Sequence, residues 1–270
     1  MVFPYNNLLR YDFALDVARG EISNMSHVNI LGRNPDADLI ASSTAVNLGR
    51  SLWDGGIAGA VNWIAPTTAR THAIVSSSAN DDTDGGGTNN GARTVQVLGL
   101  DSAYALQQEN VTLNGTGSVN TASTYTMIYR MLVLTAGGTG WNEGAITATA
   151  ATDGTVTAKI TATNNQTLSS QFMVPAGKKA YMTSYHASIE KKGLGSTSRF
   201  ADIFLMSKQF GGVWRVRDTT TVDQDGSSYV PHTFNPYKVF EAKELIELRA
   251  DPSADAQDIS GGYDLILVDS

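Results

Sequence analysis

The chain contains no cysteine. That excludes disulfides, thiolate zinc sites and cysteine nucleophiles. No apolar run reaches the roughly 18 residues that a membrane helix needs, so membrane insertion is not expected. Charged residues are scarce, 17% of 270, against roughly 25% in ordinary soluble chains. Lys and Arg number 19 against 26 Asp and Glu, a formal net charge of −7. A phosphate-binding surface needs the opposite balance, so nucleic acid is not an expected partner. The first residues carry neither a basic nor an apolar segment of the secretory type, and no signal peptide is expected.

Catalytic and nucleotide motifs are equally sparse. The four histidines, His27, His72, His186 and His232, lie far apart, with no HExxH or HxH spacing. No GxSxG or Walker A motif occurs, and the Gly-rich runs 85–87 and 137–140 lack the strand-to-helix setting of a dinucleotide loop. A glycosidase needs two carboxylates across a cleft, and no feature of the sequence pairs any two. The expectation is a protein that is not an enzyme.

Glycine (26 residues), threonine, serine and asparagine dominate what is present. From Thr71 onward the pattern is β: short runs alternate apolar and polar, and turn clusters recur every 8–15 residues. This spacing predicts an all-β fold of β-sandwich or jelly-roll-like modules. Asp153-Gly154, between two alternating runs, predicts a hairpin. The run 124–135 is apolar on both faces, which predicts a strand that is central or sandwiched between layers. The segment 239–249 suits a strand or a short helix. Residues 1–70 show no sustained period after a short helix expected at 11–20. They read as an irregular anchoring arm, followed by a β domain at 71–163 and a C-terminal β-sandwich domain at 164–270.

Three groups of residues stand out as candidate sites. In the arm, Trp53 and Trp63 and the turn Arg33-Asn34-Pro35 have the character of a segment laid on another surface, with its rings buried there. Trp141, beside a glycine loop, and Trp214 are candidate receptor contacts. Asn80, Asp82 and Asp84, followed by Gly85, match the first half of an EF-hand loop; the twelfth position is Gly91, where a bidentate Glu is required. Any calcium held there would be weakly bound, and no other cofactor is expected.

Several stretches recur together: Leu15-Asp-Val-Ala-Arg-Gly-Glu-Ile, Val28-Asn-Ile-Leu-Gly-Arg-Asn-Pro-Asp, Leu52-Trp-Asp-Gly-Gly, Glu109-Asn-Val-Thr-Leu-Asn-Gly-Thr, Val174-Pro-Ala-Gly-Lys-Lys-Ala-Tyr, Phe210-Gly-Gly-Val-Trp-Arg-Val and Gly261-Gly-Tyr-Asp-Leu-Ile-Leu-Val-Asp. In this order, over nearly the whole chain, they resemble virion structural proteins of tailed bacteriophages, of the capsid decoration (cement) or head-fibre type. The resemblance implies a non-catalytic virion component. On that reading the chain is made in the host cytoplasm and sits on the capsid exterior. It would bind the major capsid protein and itself as a homotrimer, with Arg33, Asn34, Pro35, Trp53 and Trp63 at the capsid interface. The alternative is a head- or tail-fibre-type adsorption protein that binds a host cell surface receptor through Trp141 and Trp214.

Overall fold

The computed structural model describes residues 25–40, 49–55, 62–83, 90–190 and 199–270. Among them there is no helix. Sixteen strands pair in antiparallel fashion into four sheets, as expected of a chain rich in Thr and Val with few good helix formers. The fold is all-β. The helix expected at 11–20 lies outside the described residues.

The first unit is built from β1 (Met25–Ala37), β2 (Arg50–Ser51), β10 (Phe172–Met173), β11 (Lys178–Ile189), β12 (Phe200–Lys208), β13 (Trp214–Asp223), β14 (Tyr229–Phe240), β15 (Leu245–Pro252) and β16 (Gln257–Asp269). One of its sheets runs β1-β16-β11-β14. The other runs β10-β15-β12-β13, with β2 also paired to β15. Both contribute to a single apolar cluster: Ile30, Tyr185, Tyr263 and Leu265 from the first sheet, Phe172, Ile203, Leu205 and Leu248 from the second. β12 supplies Ala201, Ile203 and Leu205 and β15 supplies Ile246, Leu248 and Ala250, the period-2 geometry of the pleat.

The second unit holds β3 (His72–Ser76), β4 (Ala92–Leu100), β5 (Leu106–Thr112), β6 (Val119–Asn120), β7 (Met127–Ala136), β8 (Ile146–Ala150) and β9 (Val156–Ile160). Its sheets run β6-β3-β8-β9 and β5-β4-β7. Ile74, Ile146 and Ile160 from one meet Val95, Val97, Val111 and Met131 from the other in a second cluster.

The two units are joined in the middle of one strand position. Along β15, Arg50 and Ser51 face Ala250 and Arg249, while Phe172 and Met173 face Ile246 and Leu245. β2 and β10 therefore occupy successive stretches of the same lane. The chain leaves that lane at Leu52, whose N–H donates to the Leu248 carbonyl at 3.0 Å, and returns at Ser170, whose N–H donates to the Leu52 carbonyl at 2.9 Å. A short antiparallel neck follows, with Trp53 bridged to Ser169 and the Asp54 N–H on the Leu168 carbonyl. The second unit is thus an insertion into the first. Gly32 passes closely over this neck: a Cβ there would stand 2.4 Å from the Leu52 oxygen and 2.6 Å from Ser170 Cβ.

One expectation needs correction, and two open readings are settled. Residues 1–70 are not an irregular arm throughout, because β1 pairs along its length with β16. Its inward positions after Ile30 are Gly32 and Asn34, both buried, so hydropathy does not alternate where the backbone does. Of the two readings of 239–249, strand is the one found: the segment ends β14 at Phe240, turns over 241–244 and opens β15 at Leu245. Of the two positions expected for the run in β7, the structure shows the sandwiched one, since β7 is the last strand of its sheet. Tyr129 packs against the other unit, its ring edge-on to Phe172 at 5.3 Å, while Leu134 further along the strand is exposed. The hairpin of β8 and β9 forms as expected, but over five loop residues, 151–155, with Thr152 and Gly154 at positive φ.

Candidate functional site

The residues expected at a capsid interface are engaged within the chain. Arg33, on β1, forms a two-pronged ion pair with Asp258 on β16: Nε donates to Oδ1 at 3.0 Å and Nη2 to Oδ2 at 2.5 Å. These hydrogen bonds raise the guanidinium pKa further above its ordinary value. The buried Asn34 side chain donates to the Ser51 carbonyl at 3.1 Å and accepts the Asp36 N–H. Pro35 sits where the β1–β16 register shifts, between Asn34 and Ala37. Trp53 and Trp63 are only 2% and 5% exposed. The Trp63 indole N–H donates to the Thr157 carbonyl at 2.8 Å, and both rings join Leu100, Met127, Met173 and Leu245 in a cluster between the units. The rings are buried as the sequence suggested, but against this chain's own second unit.

Beneath that cluster lies a buried polar knot. The fully buried Glu247 carboxylate accepts from the Ser51 hydroxyl, from Gln171 Nε2 at 3.1 Å and from Arg249 Nη2 at 3.0 Å. Ser51 Oγ also accepts the Trp63 N–H at 3.0 Å, and the Arg249 guanidinium lies 4.7 Å over the Trp214 ring. A buried carboxylate is tolerable when it is paired and hydrogen-bonded in this way. Its partners come from β2, β15 and the segments flanking the insertion, so the knot ties the neck to the sheet.

The acidic loop is also structural. Asp84 lies outside the described residues. Asn80 donates to Glu143 Oε2 at 2.5 Å, and Asp82 bridges through its backbone to Asn114. Among the described residues, no three His, Asp or Glu side chains are grouped to hold a metal. The residue that organises the loop is Asp81, which the half-motif passes over. Its buried carboxylate accepts the N–H groups of Ala92, Glu143 and Gly144 at 2.8, 2.8 and 2.9 Å and the Ser76 hydroxyl at 2.6 Å. Gly91 is required beside it, since a Cβ there would fall 2.1 Å from Asp81 Oδ1.

Trp141 and Trp214 have different surroundings. Trp141 is 46% exposed, on a loop where Thr139 Oγ1 donates to its carbonyl oxygen. Trp214 is half-buried, held between Arg249 and the inter-unit cluster.

A concave feature lies where the units meet. It is a cleft of about 470 Å³ whose walls include Tyr104 from the second unit and Lys208, Phe210, Lys243 and Leu245 from the first. Phe210 is 61% exposed, edge-on to Tyr104 at 5.5 Å. The Lys243 ammonium stands 4.6 Å from the Tyr104 ring centre and 5.0 Å from that of Phe210, within cation–π range of both. Tyr104 and Lys243 each hold a left-handed backbone, φ 65° and 63°, a conformation that costs a side-chain-bearing residue about 1 kcal/mol or more. Among the described residues, no Asp or Glu lines the cleft. No sequence signal joins Tyr104, Phe210 and Lys243, because the fold brings them together from three separate turns.

No protein-family model matches the chain, and no curated protein matches it. A solved structure, that of the infectious bursal disease virus Gt strain, aligns over 92% of this chain and 79% of its own at 11% identity with a TM-score of 0.13, too low to indicate a shared fold.

Proposed function

We propose that the chain is a virion structural protein that binds the outside of an assembled phage capsid and stabilises it, as a homotrimer over contacts between major capsid subunits. The observation that carries this reading is the strand order. With β2 and β10 counted as one interrupted position, the first unit has eight positions. Its orders β1-β16-β11-β14 and β10-β15-β12-β13 support a jelly-roll connectivity, a β-sandwich architecture recurrent in viral shells and lectins. The step from fold to function is an analogy, and the resemblance of the ordered sequence stretches supports the same direction.

The contact surface falls outside Trp53 and Trp63, which are turned inward. β13 and β14 are the last strands of their two sheets, and Val213 beside β13, Val216 and Tyr229 are exposed there. Open edges with apolar side chains are where sheets recruit partners. The mechanism is mass action: a chain that binds the assembled shell and not its separated subunits shifts the equilibrium toward the shell. Purified chain added to shells that lack it should raise their disruption temperature in proportion to occupancy. Saturated shells that disrupt at the original temperature would contradict the proposal.

A second reading is an adsorption protein that binds a host surface receptor. The exposed Trp141 and the aromatic cleft favour it. Specific binding of the isolated chain to host cells, without any effect on shell stability, would select it.

A further inference from the structure

The geometry points to the inter-unit cleft as a binding site for an acidic saccharide. Three features converge there. The first is charge. The chain carries a formal net charge of −7, yet the cleft is lined by Lys208 and Lys243 and, among the described residues, by no carboxylate. Against a negative protein, a locally cationic concavity selects for an anionic ligand.

The second feature is the wall. Phe210 offers an exposed ring, and Tyr104 meets it edge-on at 84°. Together with Leu245 and Met173 they give apolar surface of the size that a pyranose covers with its C–H face. Lys243 is held over both rings, so its ammonium is placed in advance rather than collapsed onto a carboxylate. Its N–H groups can turn to a ligand anion while the rings keep the stem in position. Thr68 and Ser102, also in the lining, bring hydroxyls within the same concavity, suited to the hydroxyls of a sugar.

The third feature is backbone strain on both sides of the same space. Tyr104 and Lys243 hold positive φ and are anchored by their own main chains, the Tyr104 carbonyl accepting the Ala176 N–H at 2.9 Å and the Lys243 N–H donating to the Val174 carbonyl at 2.8 Å. Strained positions fixed by surrounding structure concentrate at binding sites. A cleft of this volume suits a ligand of a few sugar rings.

The inference does not rest on the capsid reading. Occupancy of shells and binding of a free oligosaccharide are separate measurements, and either can fail alone. The test is calorimetric titration of the full chain with α-1,4-linked trigalacturonate, with maltotriose and sodium phosphate as comparisons. Trigalacturonate should bind saturably, at least about tenfold more tightly than maltotriose or phosphate, and more weakly as salt is raised. Phe210→Ala and Lys243→Gln should each weaken it about tenfold or more without moving the melting temperature, because Phe210 is exposed and Lys243 belongs to neither core. Lys208→Gln provides a third variant if one of these is unstable. Absence of saturable binding, unchanged affinity in the variants, or phosphate binding as tightly as the saccharide would each overturn the inference.

Discussion

Ser170 donates its backbone N–H to the carbonyl oxygen of Leu52 at 2.9 Å, and at that bond the first unit resumes the strand position it left. Everything from Trp53 to Ser169 is carried between two adjacent points of one sheet. Because the ends are already together, closing them costs the first unit little loop entropy.

Replacing residues 54–168 by a short Gly-Ser connection should therefore leave the first unit able to fold. It would lose the Trp63 packing and expose Met173 and Leu245, so its melting temperature should fall while the transition stays cooperative. A chain that no longer melts cooperatively would show that the first unit depends on the insertion for its fold.

Trp63 tests the coupling of the units. Trp63→Phe keeps most of the packing but removes the N–H donated to Thr157, and should cost about 1 kcal/mol. Trp63→Ala also opens a cavity in the inter-unit cluster and should cost about 3–5 kcal/mol. Denaturant unfolding measures both. Equal, small losses would mean that the cluster contributes little.

Asp81 predicts how the acidic loop responds to metal. Asp81→Ala strands three backbone donors and one hydroxyl, and each buried group left unpaired costs about 1–3 kcal/mol. The variant should be strongly destabilised. Millimolar calcium should leave the melting temperature of the natural chain unchanged, since the loop's buried carboxylate is already fully hydrogen-bonded. A calcium-dependent rise abolished by Asp82→Asn would overturn that view.

His72 sets a pH dependence. Its ring is buried, donates Nδ1–H to the Arg70 carbonyl at 3.0 Å and leaves Nε2 without a partner. Burial lowers its pKa from 6.5 to about 4. As pH falls below 6.5 the unfolded chain takes up this proton before the folded one does. Stability present above 6.5 is then lost progressively down to about pH 4, on the order of 3 kcal/mol in all. Asp54 acts in the opposite sense, because burial raises its carboxyl pKa and protonation relieves the folded state. His72→Phe isolates the first effect: stability followed between pH 7 and 4 should fall less steeply in the variant. Identical slopes would remove His72 from the account.

The strand-rich class and most strands after residue 71 were legible because alternation of side chains is local. β3, β11 and β12 fall within a residue of the alternating runs at 72–77, 179–190 and 200–209. β1 was not legible, because its buried positions include Gly32 and Asn34, chosen for close approach to the neck and for a hydrogen bond to Ser51. The insertion was invisible for a similar reason: nothing local marks Leu52 and Ser170 as neighbours. Trp53 and Trp63 were recognised as buried, but a sequence does not say against what. Asp81 was overlooked because the half-motif drew attention to the alternate positions, Asn80 and Asp82. The cleft left no trace at all, since its walls come from turns remote in the chain.

The capsid reading is tested most directly by quantitative mass spectrometry of purified phage particles. It predicts hundreds of copies of this chain per particle, in fixed proportion to the major capsid protein. A handful of copies, or none, would contradict it.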